Sequence, residues 1–146
     1  MILPQFYTDD IIKRAILEDI NYVDVASDYL ISEEQRNEAY FVSKADGVLC
    51  GIDVAMRVFE LLDDSFTAKV YMHDGDKVKK GDLIAEFSGK TTLLLKGERT
   101  ALNLLQHMSG IATATAKAVK LCEGTKASIA DTRKTLPSLR ALQKDR

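Results

Sequence analysis

At 146 residues and 16.2 kDa the chain suits one compact domain, or one domain with the beginning of a second. Apolar residues at 46% and charged residues at 29% exclude a disordered chain, and no run of about 18 apolar residues is present to span a membrane. The net charge of −2 hides a split: residues 1–64 carry 14 Asp+Glu against 5 Lys+Arg, while residues 65–146 carry 8 against 15.

A basic half suits an anionic ligand or an acidic partner, and the acidic half of a second copy would serve as one. Nucleic acid is disfavoured: the basic half holds only Phe66, Tyr71 and Phe87, without a base-stacking pattern. Cys50 and Cys122 lie far apart without metal-ligand spacing, and read as reduced, buried thiols of a cytoplasmic protein. The opening Met1-Ile2-Leu3-Pro4 lacks a basic stretch, so no signal peptide is expected.

In chain order, Thr8-Asp9-Asp10 predicts a helix start, with Ile11, Ile12, Ala15 and Ile16 at helical spacing. Asp24–Asp28 reads as a polar turn, and residues 33–39 are too charged for a core. Ala39–Ala45 alternates like a strand, and Gly47 and Gly51 bracket a short apolar piece. Val54, Ala55, Val58, Phe59 and Leu62 predict an amphipathic helix over Asp53–Leu62. Residues 66–96 read as strands broken by turns at Asp74-Gly75-Asp76 and Lys80-Gly81-Asp82. This stretch is similar to the hairpins of lipoyl and biotinyl carrier domains, but it has no displayed lysine at a tight turn.

The strongest helix signal spans 98–121. Ala101, Leu104, Leu105, Met108, Ile111 and Ala112 share one face, and Arg99, Asn103, Gln106 and Gly110 the opposite one. Ala127–Ala130 predicts a short buried strand, and Pro137 a helix start.

Asp131-Thr132-Arg133-Lys134 is the most informative cluster. Two adjacent cations after a short apolar strand and before a helix occupy the βα-loop position, where α/β barrels build their sites. A guanidinium fork matches a carboxylate or phosphate, and a lysine adds a point charge. The plain alternative is a solvated loop with an Asp131–Arg133 ion pair. Arg99 opens a helix where an acidic residue suits the dipole better, and is the next candidate. His73 and His107 have no spaced second ligand, so no metal is assigned to them. No residue is assigned as catalytic.

Two segments, GERTALNLLQHMSGIATATA (97–116) and IADTRKTLPSLRALQK (129–144), resemble the quinolinate phosphoribosyltransferases in order and spacing. EDINYVDVASDYLI (18–31) and DGVLCGIDVAMRVFELLD (46–63) are similar to that family's N-terminal domain. The resemblance implies an α+β chain: an N-terminal α/β sandwich domain over 1–110, then the first βα unit of an α/β barrel over 111–146. It implies phosphoribosyl transfer from phosphoribosyl pyrophosphate to quinolinate with decarboxylation, giving nicotinate mononucleotide, pyrophosphate and CO2 in NAD biosynthesis. By the same resemblance Arg99, Thr132, Arg133 and Lys134 bind substrate, with Arg99 reaching the neighbouring subunit's site in a homodimer or higher homo-oligomer. Magnesium is implied as cofactor, with ligands expected outside this chain.

About one βα unit follows residue 110, far short of a closed barrel, so the chain is expected to be an inactive fragment of its parent enzyme. Two rivals remain: a molybdenum-transport-associated homologue, and a non-enzymatic self-association module.

Overall fold

The computed structural model describes residues 4–20 and 29–144. The expected turn at Asp24–Asp28 lies outside the described residues. The elements are α1 (Gln5–Asp19), β1 (Arg36–Val42), β2 (Gly47–Val48), α2 (Ile52–Leu62), β3 (Thr67–Val70), β4 (Lys77–Val78), β5 (Leu83–Lys90), α3 (Thr91–Cys122) and α4 (Arg140–Lys144).

Helix α1 begins earlier than Thr8-Asp9-Asp10 predicts. Pro4, with φ −59°, stands at the N-cap, and its fixed dihedral presets the first turn. Ile11 and Ile12 bury the helix's inner face. Asp9, freed from capping, instead accepts a two-pronged ion pair from Arg57 on α2, Nε–Oδ1 2.8 Å and Nη2–Oδ2 2.9 Å. The Arg57 hydrogen bond holds the Asp9 carboxyl below its usual range, against a smaller upward push from burial.

Three strands form an antiparallel sheet in the order β1-β5-β3, and β2 and β4 pair separately. The strand expected over Ala39–Ala45 is shifted to Arg36–Val42. A sheet with one open face tolerates its charges: Arg36, Glu38, Tyr40 and Val42 are exposed, while Phe41 is buried beneath. Under the sheet lie α2 and α3. Phe87 of β5 meets Phe41 of β1 edge-to-face at a centroid distance of 4.9 Å and stacks on Phe59 of α2 at 5.0 Å.

Two devices fix α2. Gly51 at its N-cap takes φ +93°, a conformation that favours glycine. Asp74, from the β3–β4 connection, accepts the N–H groups of Gly51 at 2.8 and 2.9 Å and of Ile52 at 3.0 Å. A carboxylate distant in sequence thus satisfies the orphan donors of the helix start.

The strand character expected through residue 96 ends at Lys90. Helix α3 starts at Thr91, seven residues before the expected start, because Thr91, Leu94 and Gly97 already face the core. Its predicted faces hold through Met108: Ala101, Leu104, Leu105 and Met108 are buried, Ile111 and Ala112 beyond them are half-buried, and Arg99, Asn103, Gln106 and Gly110 are exposed. The helix runs unbroken through residue 110 to Cys122, which is half-buried rather than core; Cys50 is buried.

No strand forms at Ala127–Ala130. These residues are exposed, and among the described residues no neighbouring strand offers them a ladder. The helix expected at Pro137 begins at Arg140, after a turn in which Ser138 takes φ +67°.

Candidate functional site

The predicted site residues fall in two places. Arg99 is on the second turn of α3 beyond its buried start, facing away from Ala101 and Leu104. Its side chain is 77% exposed, and Nη1 donates to Asp19 Oδ1 at 3.2 Å. The end of α1 therefore orients the guanidinium while leaving most of it open.

Thr132, Arg133 and Lys134 lie on the loop before α4, and all are exposed. The Thr132 hydroxyl accepts the Lys134 N–H at 3.1 Å, a local turn that fixes the loop's course. Among the described residues no hydrogen bond or ion pair joins Arg99 to this loop.

Asp131 does not pair with Arg133. Its carboxylate meets Lys144 Nζ at 2.6 Å, and that hydrogen bond lowers its pKa. Arg133 is left facing solvent without the expected internal anion. Arg140 closes the other side: Nε donates to Thr135 Oγ1 at 3.1 Å and Nη2 to the Arg133 carbonyl at 3.4 Å. Sequence reading passed over Arg140; its place seven residues after Arg133, beyond the Pro137 turn, was the available signal.

The loop is tied to α3 through Gln143. Its amide contacts His107 Nε2 at 2.8 Å and its carbonyl accepts the Leu136 N–H at 2.9 Å, while Leu142, 2% exposed, anchors α4. His107 is thus a structural contact. Among the described residues no three His, Cys, Asp or Glu side chains converge to hold a metal ion. The described residues do not fit a magnesium site. What the arrangement offers chemically is exposed cations, Arg99 on a helix and Arg133 and Lys134 on a loop, suited to anionic groups.

The model of the quinolinate phosphoribosyl transferase N-terminal domain matches residues 24–109, and that of the C-terminal domain matches residues 111–145. The chain belongs to the quinolinate phosphoribosyl transferase family. It is 41% identical over 134 residues to a Bacillus subtilis protein named a probable carboxylating nicotinate-nucleotide pyrophosphorylase, covering 92% of this chain and 46% of that one. It is 36% identical to a mitochondrial decarboxylating quinolinate phosphoribosyltransferase of Nicotiana tabacum, covering 97% and 40%. The fold matches NadC from Streptococcus pyogenes with a TM-score of 0.92 at 38% identity, covering 97% of this chain and 50% of that one. The chain spans about half the length of the curated relatives it matches. Its mixed helix-and-sheet fold, with no closed barrel among the described residues, is that of the N-terminal part of this family with the start of the next domain. No described helix is long and apolar enough to cross a membrane.

Proposed function

We propose that this chain is the N-terminal half of an enzyme that joins quinolinate to phosphoribosyl pyrophosphate, releasing pyrophosphate and CO2 and giving nicotinate mononucleotide for NAD biosynthesis in the cytoplasm. The domain boundary falls at residue 110, inside α3. Arg99, Thr132, Arg133 and Lys134 bind substrate. The observation that supports this reading is the Arg133–Lys134 pair, exposed and, among the described residues, without an ion pair, because Asp131 meets Lys144 instead.

Both substrates are polyanions, so their recognition calls for fixed cations. Arg133 offers a planar fork to a ring carboxylate, and Lys134 a point charge to a carboxylate or phosphate. In the transition state charge separates between an oxocarbenium-like ribose and departing pyrophosphate, and held cations stabilise the leaving group. Loss of the ring carboxylate then leaves a carbanion beside the pyridinium nitrogen, and a ring clamped by its other carboxylate is positioned for that step. Magnesium acts with ligands outside this chain. The enzyme works as a homodimer or higher homo-oligomer in which Arg99 serves the neighbouring subunit's site.

The test is a fusion of this chain to the second half of the Bacillus subtilis relative. The fusion should form nicotinate mononucleotide from quinolinate, phosphoribosyl pyrophosphate and magnesium, and the 146-residue chain alone should form none. A folded but inactive fusion, or steady turnover by the chain alone, would count against the proposal.

A further inference from the structure

Helix α4 grips the loop that carries the candidate cations. Three of its side chains, at i, i+3 and i+4, share one face and reach that loop. Arg140 donates to Thr135 and to the Arg133 carbonyl, Gln143 accepts the Leu136 N–H, and Lys144 meets Asp131. Loop and helix therefore form one unit, and whatever places that unit against α3 also places Arg133 and Lys134.

Leu142 is buried, and Leu139 packs half-buried against the same core. Apolar burial is non-directional, so it holds α4 to the core without fixing its rotation or register. The bond between Gln143 and His107 Nε2 at 2.8 Å is directional, and it joins α4 to α3.

The backbone fixes the sense of this bond. The Leu136 N–H is a donor, so the Gln143 atom that meets it at 2.9 Å is the amide oxygen. The arm of the amide turned to His107 is then the NH2 group, which only donates. His107 Nε2 must accept, so the ring proton sits on Nδ1. Two hydrogen bonds in series thus run from the loop backbone through Gln143 to a ring on the long helix.

We propose that His107, as its Nδ1–H tautomer, and Gln143 are positioning residues of the substrate site. They touch no substrate; they hold the Arg133–Lys134 loop at one register along α3. This rests on the reading of Arg133 and Lys134 as quinolinate ligands. A loop freed from α3 keeps its cations but spreads them over many positions, and ordering them again weakens binding. The loss falls on substrate binding, and so on KM, more than on kcat.

The test has two arms. On the 146-residue chain at about pH 8, where imidazole is ordinarily neutral, NMR of the ring nitrogens should show His107 protonated at Nδ1 and bare at Nε2. His107→Leu should speed amide exchange at Leu136 by about tenfold or more. His107→Gln, whose amide oxygen can accept the same bond, should restore the protection. Should His107→Leu not fold, Gln143→Met removes both bonds and should act in the same way. In the fusion to the Bacillus subtilis second half, His107→Leu should raise KM for quinolinate about tenfold with kcat within about twofold, and His107→Gln should return KM toward wild type. A merely destabilised enzyme would instead lose kcat at unchanged KM. A ring protonated at Nε2, Leu136 exchange indifferent to His107→Leu, or an unchanged KM overturns the proposal. A wild-type fusion without activity strikes the transferase reading itself, and the positioning role with it, whereas the NMR arm reports on the His107–Gln143 bond alone.

Discussion

Ser109 on α3 and the backbone of Cys50 exchange hydrogen bonds in both directions. The Cys50 N–H donates to Ser109 Oγ at 3.0 Å, and the Ser109 hydroxyl donates to the Cys50 carbonyl at 3.1 Å. One turn on, Thr113 Oγ1 accepts the Val48 N–H at 2.9 Å and donates to the Val48 carbonyl at 3.5 Å. Two hydroxyls at i and i+4 on a helix thus stand in for a neighbouring strand along residues 48–50. This gives two polar residues of the 97–116 motif a structural role distinct from substrate binding.

Ser109→Ala is accordingly expected to destabilise the chain by about 1–3 kcal/mol, since both bonds to a partly buried segment are lost without replacement. Urea unfolding should show a lower midpoint with an unchanged m-value. A midpoint equal to wild type would show that these bonds contribute nothing net.

At Gly97, α3 lies close against α2. A Cβ there would lie 2.8 Å from Cδ1 and Cε1 of Phe59 and 3.1 Å from Cδ1 of Leu62. The Phe59 ring cannot retreat, because Phe66 and Phe87 stack on it at 5.4 and 5.0 Å. Gly→Ala in a helix interior gains about 1 kcal/mol of propensity, but overpacking a filled core costs about 1–3 kcal/mol. Gly97→Ala should therefore lower the melting temperature despite the better helix former; a rise would mean that the two helices separate freely.

The helices that sequence made legible are those whose apolar residues recur at helical spacing: α2, and α3 from residue 98 on. The first turns of α3 were not, because Leu93-Leu94-Leu95 is an unbroken apolar run that fits strand or helix equally. Ala127–Ala130 has a strand's composition, yet stays exposed, since a strand needs a neighbour to bond. The cations of the candidate site were readable from residue type and order. The ion pairs that orient or free them were not: Asp19 meets Arg99 and Lys144 meets Asp131 only after the chain has folded back.

Acid should weaken the chain through Asp63, among other carboxylates. Burial pushes this carboxyl up, but hydrogen bonds from the Ser65 hydroxyl, the Lys90 N–H and the Ser65 N–H outweigh it and hold it below its usual value of 3.8. A carboxyl depressed in the folded state contributes its full stability above the unfolded pKa, and loses it as pH falls through the folded pKa. Asp63→Asn should therefore be less stable than wild type at pH 7, with the gap narrowing below about pH 4. Urea midpoints measured from pH 7 down to pH 2.5 check this. A gap constant across that range would show that the charge on Asp63 does not matter.

The last expectation concerns Arg99 and Arg133 in the proposed full-length enzyme, represented by the fusion to the Bacillus subtilis second half. Arg99 stands on α3 with its guanidinium outward, and no bond among the described residues brings it to the loop of Arg133. If Arg99 serves a neighbour's site, each site needs Arg133 from one chain and Arg99 from the other. Arg99→Ala and Arg133→Ala fusions should each lose activity, because removing one member of a charge-assisted pair costs on the order of 2–5 kcal/mol when its partner is left unpaired. Unfolded together and refolded, half the dimers should be mixed, and one site in each mixed dimer would hold both arginines while the other holds neither. Activity should then recover to about a quarter of wild type. If Arg99 serves its own chain, every site in the mixture lacks one arginine. Mixed dimers confirmed by native mass spectrometry, yet without activity, would place Arg99 in its own subunit's site.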